Sequence, residues 1–192
     1  MDLNTFHNDL TPGLLLIAKP EMMDPRFIMS VSVVCLHDEE GSMALTLNRP
    51  APMYVDPVTF SLHQEVELGR FPVYLGGPVQ MDSLFYLFQS HKEIEDSTEV
   101  MPGLYLSSSP AALKILQNND ALDQSKVRFF LGYGGWSYYQ LECEISNGSW
   151  FTHPGSVEDV FYSPPEDLWL HSLKGIGPDF YHMGRHFLEK LE

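Results

Sequence analysis

VRFFLGYGGWSYYQLECEI, residues 127–145, is the stretch on which the fold turns. VRFFL reads as a buried strand, and from Tyr138 the residues Leu141 and Ile145 recur at helical spacing. Between them stand Gly132, Gly134 and Gly135, followed at once by Trp136. Glycine costs backbone entropy and is used where a side chain will not fit or where φ must be positive. Two readings suit the run: a tight turn into a packed helix, or a loop through which something approaches the backbone. The turn is the expectation, with Trp136 dropped onto the sheet and the helix launched from Tyr138 to end near Asn147-Gly148.

Working outward, strands are expected over 13–18 (GLLLIA) and over 27–36 and 43–48, the last two joined by the polar HDEEG as a hairpin. Further strands are expected at 72–75, 83–89, 103–107 and 149–152. A short helix is expected over 58–66 and a charged surface loop over 91–100. Ser109-Pro110 gives an N-cap followed by proline at the first helical position, so AALKILQ reads as a helix. Ser163-Pro164, with Glu166 three residues after the serine, reads as a capping box opening PEDLWLHSLK. PDFYHMGRHFLEKL is expected as a final helix from about residue 178. Strands precede helices in runs rather than alternating with them, which favours α+β over βαβ repetition. The 192 residues are expected to form a single domain, 1–192.

The formal charge is −15, from 11 basic and 26 acidic residues. That sign disfavours direct nucleic-acid binding, which rests on Lys and Arg neutralising phosphates, and points to another protein as the partner. The cysteines, Cys35 and Cys143, have neither disulfide-framework nor zinc spacing, and Cys35 in VSVVCLH reads as a small buried hydrophobe. The acidic N-terminus is not a signal peptide and no window is long and apolar enough to span a membrane, so a cytoplasmic location is expected.

Chemistry could gather where strands end: Asn48 and Arg49, Gly76 and Gly77, and the set Gly132, Gly134, Gly135 and Trp136. If these ends lie together, one guanidinium, one amide and several backbone N–H groups would suit an anion or carboxylate; otherwise they are turns, Trp136 is core, and Arg49 is paired to an acid. The run GYGGW lacks phosphate-loop spacing. His182 and His186 stand four apart on the final helix and His37 precedes three acids, but neither set completes a metal site. There is no G-x-S-x-G elbow. No catalytic residue, cofactor or metal is expected.

The ordered blocks GLLLIAKPEMMDPRFIMSVSVVCLHDEEGSMALTLNRP (13–50), VYLGGPV (73–79), LGYGGWSYYQLECEI (131–145) and NGSWF (147–151) together resemble the YqgE/AlgH family of bacterial proteins. The resemblance implies an α+β fold: a mixed, branched β-sheet curled into a partial barrel with helices packed outside. The family usually has glycine at Ala44, a Gly-Pro-Gly-like turn at Ser137, Tyr138 and Tyr139, and an earlier ending. Its members are described as transcriptional regulators, and no catalytic residues carry over. The resemblance therefore implies a non-enzymatic regulatory or protein-interaction module acting on transcription indirectly. An anion-binding protein or enzyme built on the three loops is the alternative, and direct DNA binding the third.

Overall fold

The computed structural model describes residues 10–55, 70–119 and 121–190. The helix expected over 58–66, with His7 and His63, lies outside them. Among the described residues, ten strands form one curled sheet: β1 Leu14–Ala18, β2 Val31–Asp38, β3 Gly41–Thr46, β4 Pro50–Tyr54, β5 Pro72–Leu75, β6 Val79–Gln89, β7 Thr98–Met101, β8 Leu104–Ser107, β9 Val127–Ser137 and β10 Trp150–Pro154. The order along the sheet is β10-β1-β2-β3-β9-β6-β8-β7, with β4 and β5 as a side branch. All pairings are antiparallel except β5 with β9. Five described helices cover it: α1 Pro110–Asn118, α2 Gln140–Ser146, α3 Val157–Phe161, α4 Pro165–Ile176 and α5 Pro178–Glu189. The sheet is thus mixed, branched and curled, and the fold is α+β as expected.

Strand alternation divides the core. Leu15, Ile17, Val33, Leu45, Phe130 and Leu87 point to the concave face, where Phe161, Leu168, Trp169 and Leu173 of α3 and α4 cover them. Leu16, Ala18, Val34, Ala44 and Trp136 point to the convex face under Leu141 of α2. Tyr86, Phe88, Tyr105, Val127, Phe129 and Leu131 form a second convex cluster under α1. The buried Trp169 indole donates to the Ala18 carbonyl (2.7 Å), tying α4 to β1. Gly184 of α5 lies so near Leu173 that a Cβ there would come within 2.6 Å of its side chain, so the α4–α5 hairpin packs closely.

The glycine run corrects the reading of 132–136 as a turn: it lies inside β9. Leu131 and Trp136 are five apart and would face opposite ways in a regular strand, yet both serve the convex face. The odd residue is absorbed at Gly132, whose φ of +63° makes a bulge that an L-residue would strain to form. Opposite it, the pairing on β6 jumps from Val79 to Leu84. The chain at Gly76 crosses here: its N–H donates to Leu131 O (2.8 Å) and its carbonyl accepts from Thr46 N (2.9 Å). That crossing hands the same edge of β9 from β5 to β3, which is the branch.

Other boundaries moved for local reasons. Residues 27–29 are turn and Ser30 is irregular, rather than strand, with Met29 at φ 55°. The loop expected over 91–100 ends in β7, and β4 forms where no element was assigned. Ser109 caps α1 through Ala111 N (3.2 Å), as expected. Ser163 does not cap: Pro164 precedes α4 with no side-chain bond. The capping box is instead Ser156 with Asp159, on α3. The helix expected from Tyr138 starts at Gln140, because Tyr139 is held left-handed at φ 60°.

A Cβ on Gly132 would meet Gly77 O at 2.5 Å and Val79 O at 2.7 Å, both backbone atoms. Gly132→Ala should therefore lower unfolding free energy by about 2–4 kcal/mol, from left-handed strain plus overpacking. Gly175→Ala, in open helical surroundings, should raise it by about 0.5–1 kcal/mol. Urea titration of the two variants beside wild type checks both signs.

Candidate functional site

The expected loop ends do converge, but mostly upon one another. Asn48 spends its amide on the chain before β2: Oδ1 accepts from Val31 N (2.9 Å) and Nδ2 donates to Met29 O (2.8 Å). A Cβ on Gly76 would come within 2.3 Å of Gly132 O, and one on Gly77 within 2.1 Å of Gly134 N. Gly134 lies under the Trp136 ring, 2.8 Å from its Cη2 to a built Cβ. These glycines admit their own backbone rather than a ligand.

What remains open is a depression beside the crossing, in three parts. The first, about 210 Å³, brings Arg49 and Gly77 together with Arg26, Pro78, Leu75 and Met81. Arg49 is half-buried and donates to Ile28 O (3.1 Å). Burial pulls its guanidinium down from the ordinary arginine range, opposed by the Asp24 carboxylate. The second, about 520 Å³, is floored by Phe27, Trp136 and Trp150 and rimmed by Glu21, Asp24 and Glu144. Arg26 and Pro78 border both. Arg26 reaches Asp24 at 2.6 Å, and these bonds hold the Asp24 carboxyl below its usual value. The third, about 500 Å³, is lined by Met43, Tyr133, Asp38, Glu40 and Leu36. It shares Val79, Gly135 and Trp136 with the second.

The last two parts flank one strand edge. Beyond Tyr133 no described strand pairs with β9 on its β6 side, while β9 continues to Ser137. Trp136 O points at β3, since a Cβ on Gly41 would come within 2.1 Å of it. By alternation, Gly135 turns its N–H and C=O outward. The Ser137 N–H, also outward, is taken by Gln140 Oε1 (3.1 Å). Trp136 belongs to the convex cluster, and Tyr133 and Met43 pack on the concave one. The open edge therefore has one cavity on each face.

A carboxylate organises the convex cavity. Glu144 Oε2 accepts both Trp136 Nε1 and Trp150 Nε1, each at 2.9 Å, and Oε1 accepts Gln140 Nε2 at 3.0 Å. Neither Glu144, Trp150 nor Arg26 stood out in the sequence, although Glu144 lies eight residues after Trp136 and six before Trp150. A second buried pair, His37 Nε2 with Glu142 Oε1 at 3.8 Å, joins the β2–β3 hairpin to α2. Arg128 is a third site that sequence reasoning missed. It lies on the concave face against the Tyr74 ring (4.4 Å) and donates to Leu47 O and Phe161 O, each at 3.4 Å. Burial lowers its pKa. His182 and His186 are exposed on α5, and no group of three or more His, Cys, Asp or Glu among the described residues could hold a metal. Cys35 is buried, which pushes its thiol up, and Cys143 is exposed.

The AlgH-like family model matches residues 15–181, a span that includes the crossing, the open edge and both flanking cavities. The chain belongs to the AlgH-like family. A UPF0301 protein of Myxococcus xanthus is 40% identical over 173 residues, covering 89% of this chain and 93% of that one. One from Chlorobaculum tepidum is 38% identical over 171 residues, 89% of each. Among solved structures, the AlgH protein from Pseudomonas aeruginosa superposes with a TM-score of 0.71 at 30% identity, covering 86% of this chain and 88% of that one. A Corynebacterium diphtheriae protein reaches 0.74 at 22% identity, over 92% and 93%, a likeness of fold. This AlgH-like chain has no described helix long and apolar enough to cross a membrane.

Removing the Asn48 amide leaves Val31 N and Met29 O without their partner. Asn48→Ala should cost about 1–3 kcal/mol of stability, read by urea titration, whereas a ligand-only role would leave stability unchanged.

Proposed function

We propose that the chain is a non-enzymatic, cytoplasmic interaction module that seats an extended segment of another protein along the open edge of β9. Any regulatory effect then runs through that partner and not through DNA. One observation carries the reading: the edge at Gly135 faces outward with a cavity on each side of the sheet. A segment added there would bond through its main chain and send alternate side chains into the two cavities. Exposed Met23 and Met81 border the same depression, and methionine adapts its shape to varied apolar partners.

Panning a phage-displayed random-peptide library against the protein tests this. Enriched peptides should alternate apolar residues, and a synthetic one should slow hydrogen exchange at the Gly135 amide. Peptides that protect other amides and leave Gly135 fast would overturn the reading.

The two-guanidinium cavity at Arg49 supports a second reading, a small anion. Phosphates and carboxylates should then raise Tm in wild type and not in Arg49→Ala; about 2.7 kcal/mol at 100 times Kd corresponds to a shift of several degrees. A flat panel removes it.

A further inference from the structure

The convex cavity beside the open edge has a composition that selects its occupant. Its floor is three packed rings. Phe27 stacks on Trp136 (centroids 5.7 Å, interplanar 27°) and meets Trp150 edge-on at 5.4 Å, while the two indoles stand 6.1 Å apart at 80°. Met22 and Met23 add thioether surface at the rim. Glu144 is fixed among these rings. Both indole N–H groups lock its Oε2, whereas Oε1 accepts one bond, from Gln140, and keeps a further acceptor position. Its orientation is thus set before anything binds, which lowers the ordering cost of a complex.

Carboxylates outnumber cations among the residues that line the cavity. Glu21, Asp24 and Glu144 line it against one guanidinium, Arg26, which is already engaged bidentately by Asp24 and exposed. Two further cations stand at its border: Lys19 Nζ, over the Phe151 ring (4.6 Å), lies 3.2 Å from where a Cβ on the lining residue Gly148 would sit, and Arg49 is near enough to act on the Asp24 carboxyl. Carboxylates alone would describe a solvated rim. A pre-oriented carboxylate in an aromatic-floored hollow describes a receptor for a cation with an apolar stem, because rings and thioethers favour the methylenes and the ring quadrupole favours the charge.

We infer that this cavity takes an alkylammonium group, with the ammonium at Glu144 and the stem across Trp136 and Met23. The inference rests on the cavity and gains from the docking reading. If a partner segment lies along β9, the side chain entering the convex face is a lysine. A free amine offers the same chemistry.

The probes are cadaverine, tetramethylammonium, and two forms of one edge-binding peptide, carrying lysine or norleucine at the convex-facing position. The readout is the indole N–H resonances of Trp136 and Trp150. Cadaverine should shift both saturably. Glu144→Gln should weaken binding about ten-fold, the worth of one charge-assisted hydrogen bond. Arg26→Gln should tighten it by removing the resident competitor, and since Arg26 is exposed, this variant decides the matter even if Glu144→Gln folds poorly. A lysine peptide binding far more tightly than cadaverine identifies a partner side chain as the source; equal binding identifies a free amine. Indole resonances unmoved by either overturn the inference, as does binding indifferent to both substitutions. A norleucine peptide that binds as tightly as the lysine form and slows exchange at Gly135 would overturn it while leaving the docking reading standing.

Discussion

The molecule depends on one close approach of backbone to backbone. Residues 76–77 cross β9 at 132–134, where a Cβ on Gly76, Gly77 or Gly132 would run into the backbone of the other segment. At that crossing Gly76 bonds to β9 through its N–H and to β3 through its carbonyl, so β5 and β3 can occupy one edge of β9 in succession. Without it the sheet would have to end at β5 or at β3. The left-handed turn at Gly132 also shifts the alternation by one residue. That shift lets Leu131 serve one convex cluster and Trp136 the other, so a single kink both branches the sheet and sends Trp136 toward Glu144.

Most of the sheet was legible because its strands are short apolar runs bounded by turn residues. VVCL, MALT, VYL and LYLS fall inside β2, β3, β5 and β8. Ser109-Pro110 was legible for a local reason, since a cap needs only its own first turn. The glycine run was misread because glycine signals a close approach equally in a turn and in a strand, and only the distant Gly76-Gly77 tells which. Ser163 resembled a capping box, yet Pro164 itself leads into the helix, and the reciprocal bonds form at Ser156 and Asp159.

The site was legible in its parts and not in its sense. Gly77, Arg49, Gly135 and Trp136 do border one depression. The Asn48 amide, by contrast, is consumed by the chain before β2. Glu144 escaped notice because, in a chain with 26 acids, nothing local separates it from a solvated helix carboxylate. Its role comes from Trp150, brought in by the pairing of β10 with β1. Arg128 escaped for the opposite reason: an arginine two residues before Phe130 looks like an edge position. Inside the barrel its planar group can stack on Tyr74 and bond to the carbonyls of Leu47 and Phe161, so that β5, β9, the link after β3 and α3 are held by one side chain.

An open strand edge is a liability, since it can template pairing with any extended chain. This edge is short, running only from Gly134 to Ser137 beyond its last partner. Gln140 covers the Ser137 N–H. Asp38 and Glu40 stand on the concave side and Glu21, Asp24 and Glu144 on the convex side. A second copy of the same edge would bring the same carboxylates against these, and like charges brought together cost several kcal/mol. The arrangement that discourages pairing with itself would, in the docking proposed above, favour a segment of opposite sign. On the docking proposed above, the acidity at this edge would act as a filter on which segment can pair there.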